Sequence, residues 1–175
     1  LDNALGGYLI TKSVLEKGHR EIAYISGPKW KDDSNQRIKG HKKALEEFNV
    51  PFNEQLMYQG DFTQTGGCDG LTSLLDAGIP FTALVCGNDE MASGVLATAR
   101  QKGMDVPKEL SVTGFDNIIY ASLLFPTLTT IDYPIRQMGH MAAKLVLKEV
   151  YDKKKLEIRH QFIPKLVERN SAIIV

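Results

Sequence analysis

The sequence is poor in the features that mark several large functional classes. It has two cysteines, Cys68 and Cys86, in 175 residues. They form no CxxC pair, and they fall on a predicted helix and a predicted buried strand. Reduced core thiols of a cytoplasmic protein are the expectation, with pairing open only if the two lie close in space. No charge of one sign dominates: 21 Lys and Arg balance 21 Asp and Glu. The strong basic excess of a nucleic-acid-binding domain is missing. The Lys153 to Lys155 run reads as a solvated face beside a helix end. No apolar run approaches the ~20 residues of a membrane span, and no signal peptide opens the chain.

Chemical motifs are equally scarce. No GxGxxG follows a strand and no GxxxxGK precedes Ser or Thr, so a nucleotide-phosphate cradle is not supported. The GxSxG elbow is missing. His19, His41, His140 and His160 are scattered without metal-ligand spacing. No nucleophile–base pair can be assembled. The expectation is a binding protein and not an enzyme, with no metal and no cofactor.

What is present is an alternation of short apolar runs and amphipathic stretches. A helix is predicted over Leu1 to Lys17, with Leu5, Tyr8, Leu9 and Leu15 on its apolar side and Gly18 ending it. Strands follow at Glu21 to Gly27, Gln55 to Gln59, Ala83 to Cys86, Leu110 to Gly114 and Leu128 to Ile131. Helices fall between them, at about Asn35 to Phe48, Thr63 to Ala77 and from Asp89 to Gly103. A helix from Pro134 to about Tyr151 carries apolar residues on more than one face, which predicts burial on two sides, as in a subunit interface. Arg159 to Val167 is extended, with Pro164 favouring an edge. Alternation of this kind gives an α/β fold with a doubly wound parallel sheet of order 2-1-3-4-5.

In such a sheet, ligands bind beyond the carboxyl ends of the strands, at the switch point between the first and third. That rule brings together Trp30, the Lys31 to Arg37 region and Asn88, with Phe62 and Asp116 flanking them. Each has two readings. Asn88 offers donor and acceptor to a polyhydroxylated ligand, or it shapes the turn and caps the helix. Arg37, in the predicted first turn of its helix, is on the wrong side of the helix dipole; an acidic neighbour or a ligand hydroxyl holds it, or it points to water. Phe62 is a core residue or a ligand platform. Asp116 accepts from a sugar, or forms an Asx-type turn with Asn117.

The segments resemble, in order and spacing, the lactose/galactose repressor (LacI/GalR) family of bacterial transcription regulators. The resemblance rests on Gly18-His19-Arg20-Glu21-Ile22-Ala23 with Gly27-Pro28, on Arg37-x-x-Gly40, and on Gly60-Asp61-Phe62. It continues through Asn88-Asp89-x-Met91-Ala92-x-Gly94 and Val106-Pro107-x-x-Leu110-Ser111-Val112-x-Gly114-Phe115-Asp116-Asn117. Pro126-x-Leu128-Thr129-Thr130-Ile131 and Leu166-Val167-Glu168-Arg169-Asn170-Ser171 complete it.

The resemblance implies a periplasmic-binding-protein-like (type I) core of two subdomains that clasp a small effector and alter the DNA affinity of a dimer. On that pattern Arg37, Asn88 and Asp116 contact effector hydroxyls, Phe62 stacks on the ligand, and Tyr133 reaches the cleft from the crossover. The loop of Lys31, Asp33 and Ser34 helps choose the effector. The expected division is a helix at 1–17 and a helix at 132–155 from the N-terminal subdomain, with 18–131 and 156–175 forming the C-terminal one. The family's helix-turn-helix, hinge and first half-core are not in these residues, so the chain reads as a fragment that contacts operator DNA only through a missing domain. A sugar is the expected effector, because the purine-repressor branch typically lacks the Asn found at 88. The alternatives are a purine-type corepressor site and a sugar-binding protein of transport or chemotaxis.

Overall fold

The computed structural model describes residues 2–151, 157–159 and 161–175. The Lys153 to Lys155 run and His160 lie outside the described residues. Helix α1 (Asn3–Glu16) leads into strand β1 (Ile22–Ser26), helix α2 (Asp32–Glu47) and strand β2 (Met57–Gln59). Then come α3 (Gln64–Asp76), β3 (Ala83–Cys86), α4 (Asp89–Gln101), β4 (Ser111–Thr113), β5 (Thr130–Asp132), α5 (Ile135–Tyr151) and β6 (Lys165–Val167).

Strands β2, β1, β3 and β4 form one parallel sheet in that order. The pleat sends alternate residues to opposite faces. Ile22, Tyr24, Ala83 and Val85 face α1 and α2, where Ile10, Val14, Leu15, Ala44 and Leu45 cover them. Ala23, Ile25, Leu84 and Cys86 face α3 and α4, where Leu71, Leu74, Met91 and Val95 do so. Both faces are dry, which is why β1 and β3 read as unbroken apolar runs. The α/β class and doubly wound order follow the sequence through four strands. The fifth follows it more loosely: β5 lies beside the β4 segment through the parallel bridges Thr113 to Thr129 and Asp116 to Asp132, and its ladder pairing is antiparallel, with β6. The carboxyl-terminal residues cover the outer edge of β4, with the Val112 amide donating to the Ser171 carbonyl at 2.7 Å. The edge is thereby closed to further strand pairing.

Two helices differ from expectation. The apolar side predicted for α1 was Leu5, Tyr8 and Leu9 with Leu15. The structure instead buries Gly6, Gly7, Ile10, Thr11 and Val14 beside Leu15. The reason is close packing on α2, not hydrophobicity. A Cβ on Gly7 would lie 2.2 Å from the Arg37 carbonyl oxygen, and one on Gly40 would lie 2.0 Å from that of Ala4. The two backbones touch because neither glycine has a side chain. The division expected at residue 17 is therefore not a structural boundary, since α1 shares the core of β1 and β3. Helix α5 buries no residue at all, and Ile135, Val146 and Val150 are 70%, 58% and 67% exposed. Among the described residues no element packs over it, so the chain itself does not supply the burial expected on two sides.

Candidate functional site

The carboxyl ends of β1, β3 and β4 open on a cleft of about 990 Å³. Asp33, Arg37, Phe62, Asn88, Asp116 and Tyr133 line it together. Trp30, placed with them by sequence, does not. It lies outside the lining, 77% exposed, with the Lys31 Nζ 4.4 Å from its ring centroid. The turn before α2 carries it away from the opening.

Arg37 is the centre of the arrangement. Helix α2 begins at Asp32, three residues earlier than the sequence suggested, so Arg37 stands in the second turn and not the first. Its side chain is buried, with a relative exposure of 5%. Nε donates to Asn3 Oδ1 at 2.9 Å, and Nη1 to the Gly87 carbonyl at 2.6 Å. Nη2 lies 3.5 Å from Asp116 Oδ1. The guanidinium plane sits 3.7 Å from the Phe115 ring centroid and 5.7 Å from that of Phe62. A buried charge is tolerated only when paired and hydrogen-bonded, and here the three partners come from α1, the turn after β3 and the loop after β4. Asn3 passes the link onward by donating to Asp33 Oδ1 at 3.0 Å. Contact of the two helices at Gly7 and Gly40 is what brings Asn3 to Arg37.

Asn88 serves as the N-cap of α4. Its Oδ1 accepts from the Met91 amide at 3.0 Å, and its Nδ2 donates to the Phe62 carbonyl at 2.9 Å. The capping role is thus present. The amide's second N–H has no acceptor among the described residues. Phe62 has a positive φ of 69°, and its ring lies directly over Gly27, where a Cβ would come within 2.0 Å of it. That close approach makes the ring a half-buried floor of the cleft.

Asp116 has φ 116°, a conformation that non-glycine residues rarely take, and Asn117 follows at 52°. Such backbone persists only when its surroundings hold it. They do so here: the Asp116 amide donates to Ile131 and its carbonyl accepts from Tyr133. Asp89 braces the same loop from beneath. It is fully buried, its amide donates to the Phe115 carbonyl, and its carboxylate accepts from Thr130 Oγ1 at 2.5 Å and the Ile118 amide at 2.9 Å. Burial pushes the Asp89 carboxyl up to about 6. Burial likewise pushes Asp116 up to about 7, against the opposing pull of Arg37.

Several cleft residues carry no sequence signal of their own. Glu90, Asn117, Asp132 and Arg136 line the opening. Asn117 donates to Asp132 at 2.9 Å and accepts from Arg169 at 2.7 Å. Adjacency to Asn88, Asp116 and Tyr133 was the only available hint for the first three. Among the described residues no cluster of three metal-capable side chains occurs, and no helix is long and apolar enough to cross a membrane. Cys68 and Cys86 are both free thiols.

A family model for the periplasmic binding protein-like domain matches residues 11–172. The chain is 38% identical over 174 residues to the HTH-type transcriptional repressor PurR of Photorhabdus laumondii, covering 99% of this chain and 51% of that one. It is 37% identical over 171 residues to the HTH-type transcriptional regulator GalR of Salmonella typhimurium, covering 98% and 50%. A sugar-binding transcriptional regulator of the LacI family from Escherichia coli, solved in complex with phosphate, superposes with a TM-score of 0.92 at 30% identity, over 99% of this chain and 62% of that one. The chain spans about half the length of the curated relatives it matches.

Proposed function

The chain belongs to the periplasmic binding protein-like family, alongside transcriptional regulators of the LacI type, and from that premise we propose that its cleft binds a small polyhydroxylated effector, a sugar. The observation that carries this reading is the environment of Arg37. A buried guanidinium held rigidly in place, a carboxylate at 3.5 Å and the ring of Phe62 meet at one open cleft. Planar polar groups match vicinal hydroxyls, and a ring face packs on the apolar C–H side of a sugar. Asp116, the free N–H of Asn88 and Tyr133 supply the remaining contacts.

In the whole protein, the effector favours one arrangement of the two subdomains over another and so sets the affinity of a cytoplasmic homodimer for operator DNA. The DNA contact belongs to a helix-turn-helix part of the kind the relatives' names record. A net charge of zero over these 175 residues supports placing it elsewhere. The exposed apolar side of α5 belongs against the second subdomain.

Calorimetric titration with monosaccharides, β-glycosides, sugar phosphates and purines tests the reading. One sugar is expected to saturate the site, with affinity lost in Asp116→Ala. Saturation by a purine alone, or a sugar affinity untouched by that substitution, would overturn it.

A further inference from the structure

We propose, resting on the effector-binding reading, that the cleft takes a glycoside, with its sugar ring at the buried end and an apolar aglycone against Ile119 at the mouth, and that Tyr120, held by Glu90, positions Ile119 for it. The cleft changes character with depth. Arg37 and Asn88, at its inner end, are polar and only 5% and 6% exposed. Ile119 lines the same cavity and is 86% exposed, with Ile118, Tyr120 and Pro134 also in the wall. The volume of about 990 Å³ stands at the top of the ~300–1,000 Å³ range of sites for drug-sized ligands. One sugar ring does not fill it. A ligand with one polar and one apolar end matches the gradient. Its hydroxyls meet Arg37, Asn88 and Asp116, and its apolar surface leaves water against Ile119.

The segment that carries Ile119 is a turn tied down on both sides. The Ile118 amide donates to Asp89 Oδ2 at 2.9 Å, and the Ala121 amide donates to the Ile118 carbonyl at 2.9 Å. Ala121 is buried in the core formed with α3 and α4, and Ile118 packs against it. Ile119 and Tyr120, between these two, are left facing outward. The Tyr120 hydroxyl then donates to Glu90 Oε1.

Three consecutive residues at the start of α4 thus hold three parts of the cleft. Asn88 holds the Phe62 carbonyl, Asp89 the Ile118 amide and Thr130, and Glu90 the Tyr120 hydroxyl. The first two bonds fix backbone and buried groups and serve the fold. The third joins two side chains of the cleft wall that belong to neither core cluster. Its loss releases the Tyr120 side chain and the neighbouring Ile119, while the anchors at Ile118 and Ala121 stay in place. Tyr120 is therefore a positioning residue for the ligand's outer end.

The test is calorimetry on this chain with glucose, galactose and mannose, and with the methyl and phenyl glycosides of each in both anomeric forms. The phenyl glycoside of the sugar that binds is expected to bind at least about tenfold tighter than its methyl counterpart, from the apolar surface of one ring leaving water. Ile119→Ala is expected to bring that phenyl-to-methyl ratio toward one. Tyr120→Phe, which keeps the ring and removes only the hydroxyl, is expected to lower it as well. Glu90→Gln keeps an accepting oxygen and is expected to preserve it. A general loss of cleft structure weakens both glycosides alike, so the ratio reads the aglycone contact alone. Phenyl glycosides that bind no tighter than methyl ones, or a ratio that survives Ile119→Ala or Tyr120→Phe, would overturn this inference and leave the sugar site standing. Silence from every sugar and every glycoside would overturn both.

Discussion

At the scale of the residue, the cleft is held by groups whose charge is expensive to keep. Asp116 and Asp89 bind their protons up to about 7 and about 6, against an ordinary 3.8, because burial disfavours the ionised form. A folded state that holds protons more tightly than the unfolded one is stabilised at low pH. That contribution is complete below about 4 and is lost as pH rises through 6 and 7. Asp116→Asn removes the titrating group and keeps a residue tolerant of a positive φ. Its stability relative to the parent is therefore expected to rise between pH 5 and pH 8, as read from denaturant midpoints. A constant difference across that range would show that Asp116 ionises normally. At this scale the sequence was informative where a residue's neighbours are local. Asn88 was legible because strand, turn and helix are contiguous. Asn3 was not, because its partner Arg37 is 34 residues away and only the glycine contact between α1 and α2 brings them together.

At the scale of the element, α4 joins fold and function through one side chain. Asn88 caps the helix with its Oδ1 and ties down Phe62 with its Nδ2. Asn88→Ala removes both and is expected to cost about 1 kcal/mol of stability. Asn88→Ser restores a capping oxygen without the amide, so stability is expected to return close to the parent value while sugar affinity stays low. Full affinity in the serine variant would mean that Asn88 only caps. Boundaries were legible where chain chemistry is decisive: β3 runs from Ala83 to Cys86 as its apolar run indicates. The start of α2 was hidden because Lys31 occupies the N-cap without any side-chain hydrogen bond. The favourable acids Asp32 and Asp33 were the signal available for an earlier start. The apolar pattern of α5 gave the helix correctly, but a hydrophobic face does not reveal what covers it, and nothing among the described residues does so.

At the scale of the molecule, alternation and apolar runs were enough for a doubly wound sheet, and the switch-point rule gathered Asp33, Arg37, Phe62, Asn88 and Asp116 but also Trp30, which lies outside the cleft, while Tyr133 came only through the family resemblance. The charge balance inside the cleft was not legible, because it depends on which carboxylates the fold turns inward. The loop after β4 also exposes apolar side chains, Leu123 and Phe125 at 79% and 88%, next to Ile119 at the cleft. We propose this loop as part of a homodimer contact. Phe125→Glu is then expected to shift sedimentation toward the monomer while sugar affinity is kept; an unchanged distribution would assign the dimer contact elsewhere.

The most direct measurement is amide and arginine side-chain NMR on the labelled chain during titration with the sugar that calorimetry selects. Saturating shifts are predicted at the Arg37 Nε–Hε signal, at Gly87 and Asn88, and at Asp116 through Ile118, with α3 and the β2 edge unmoved. Saturable binding that leaves the Arg37 and Asp116 signals in place, and moves another face instead, would contradict the account.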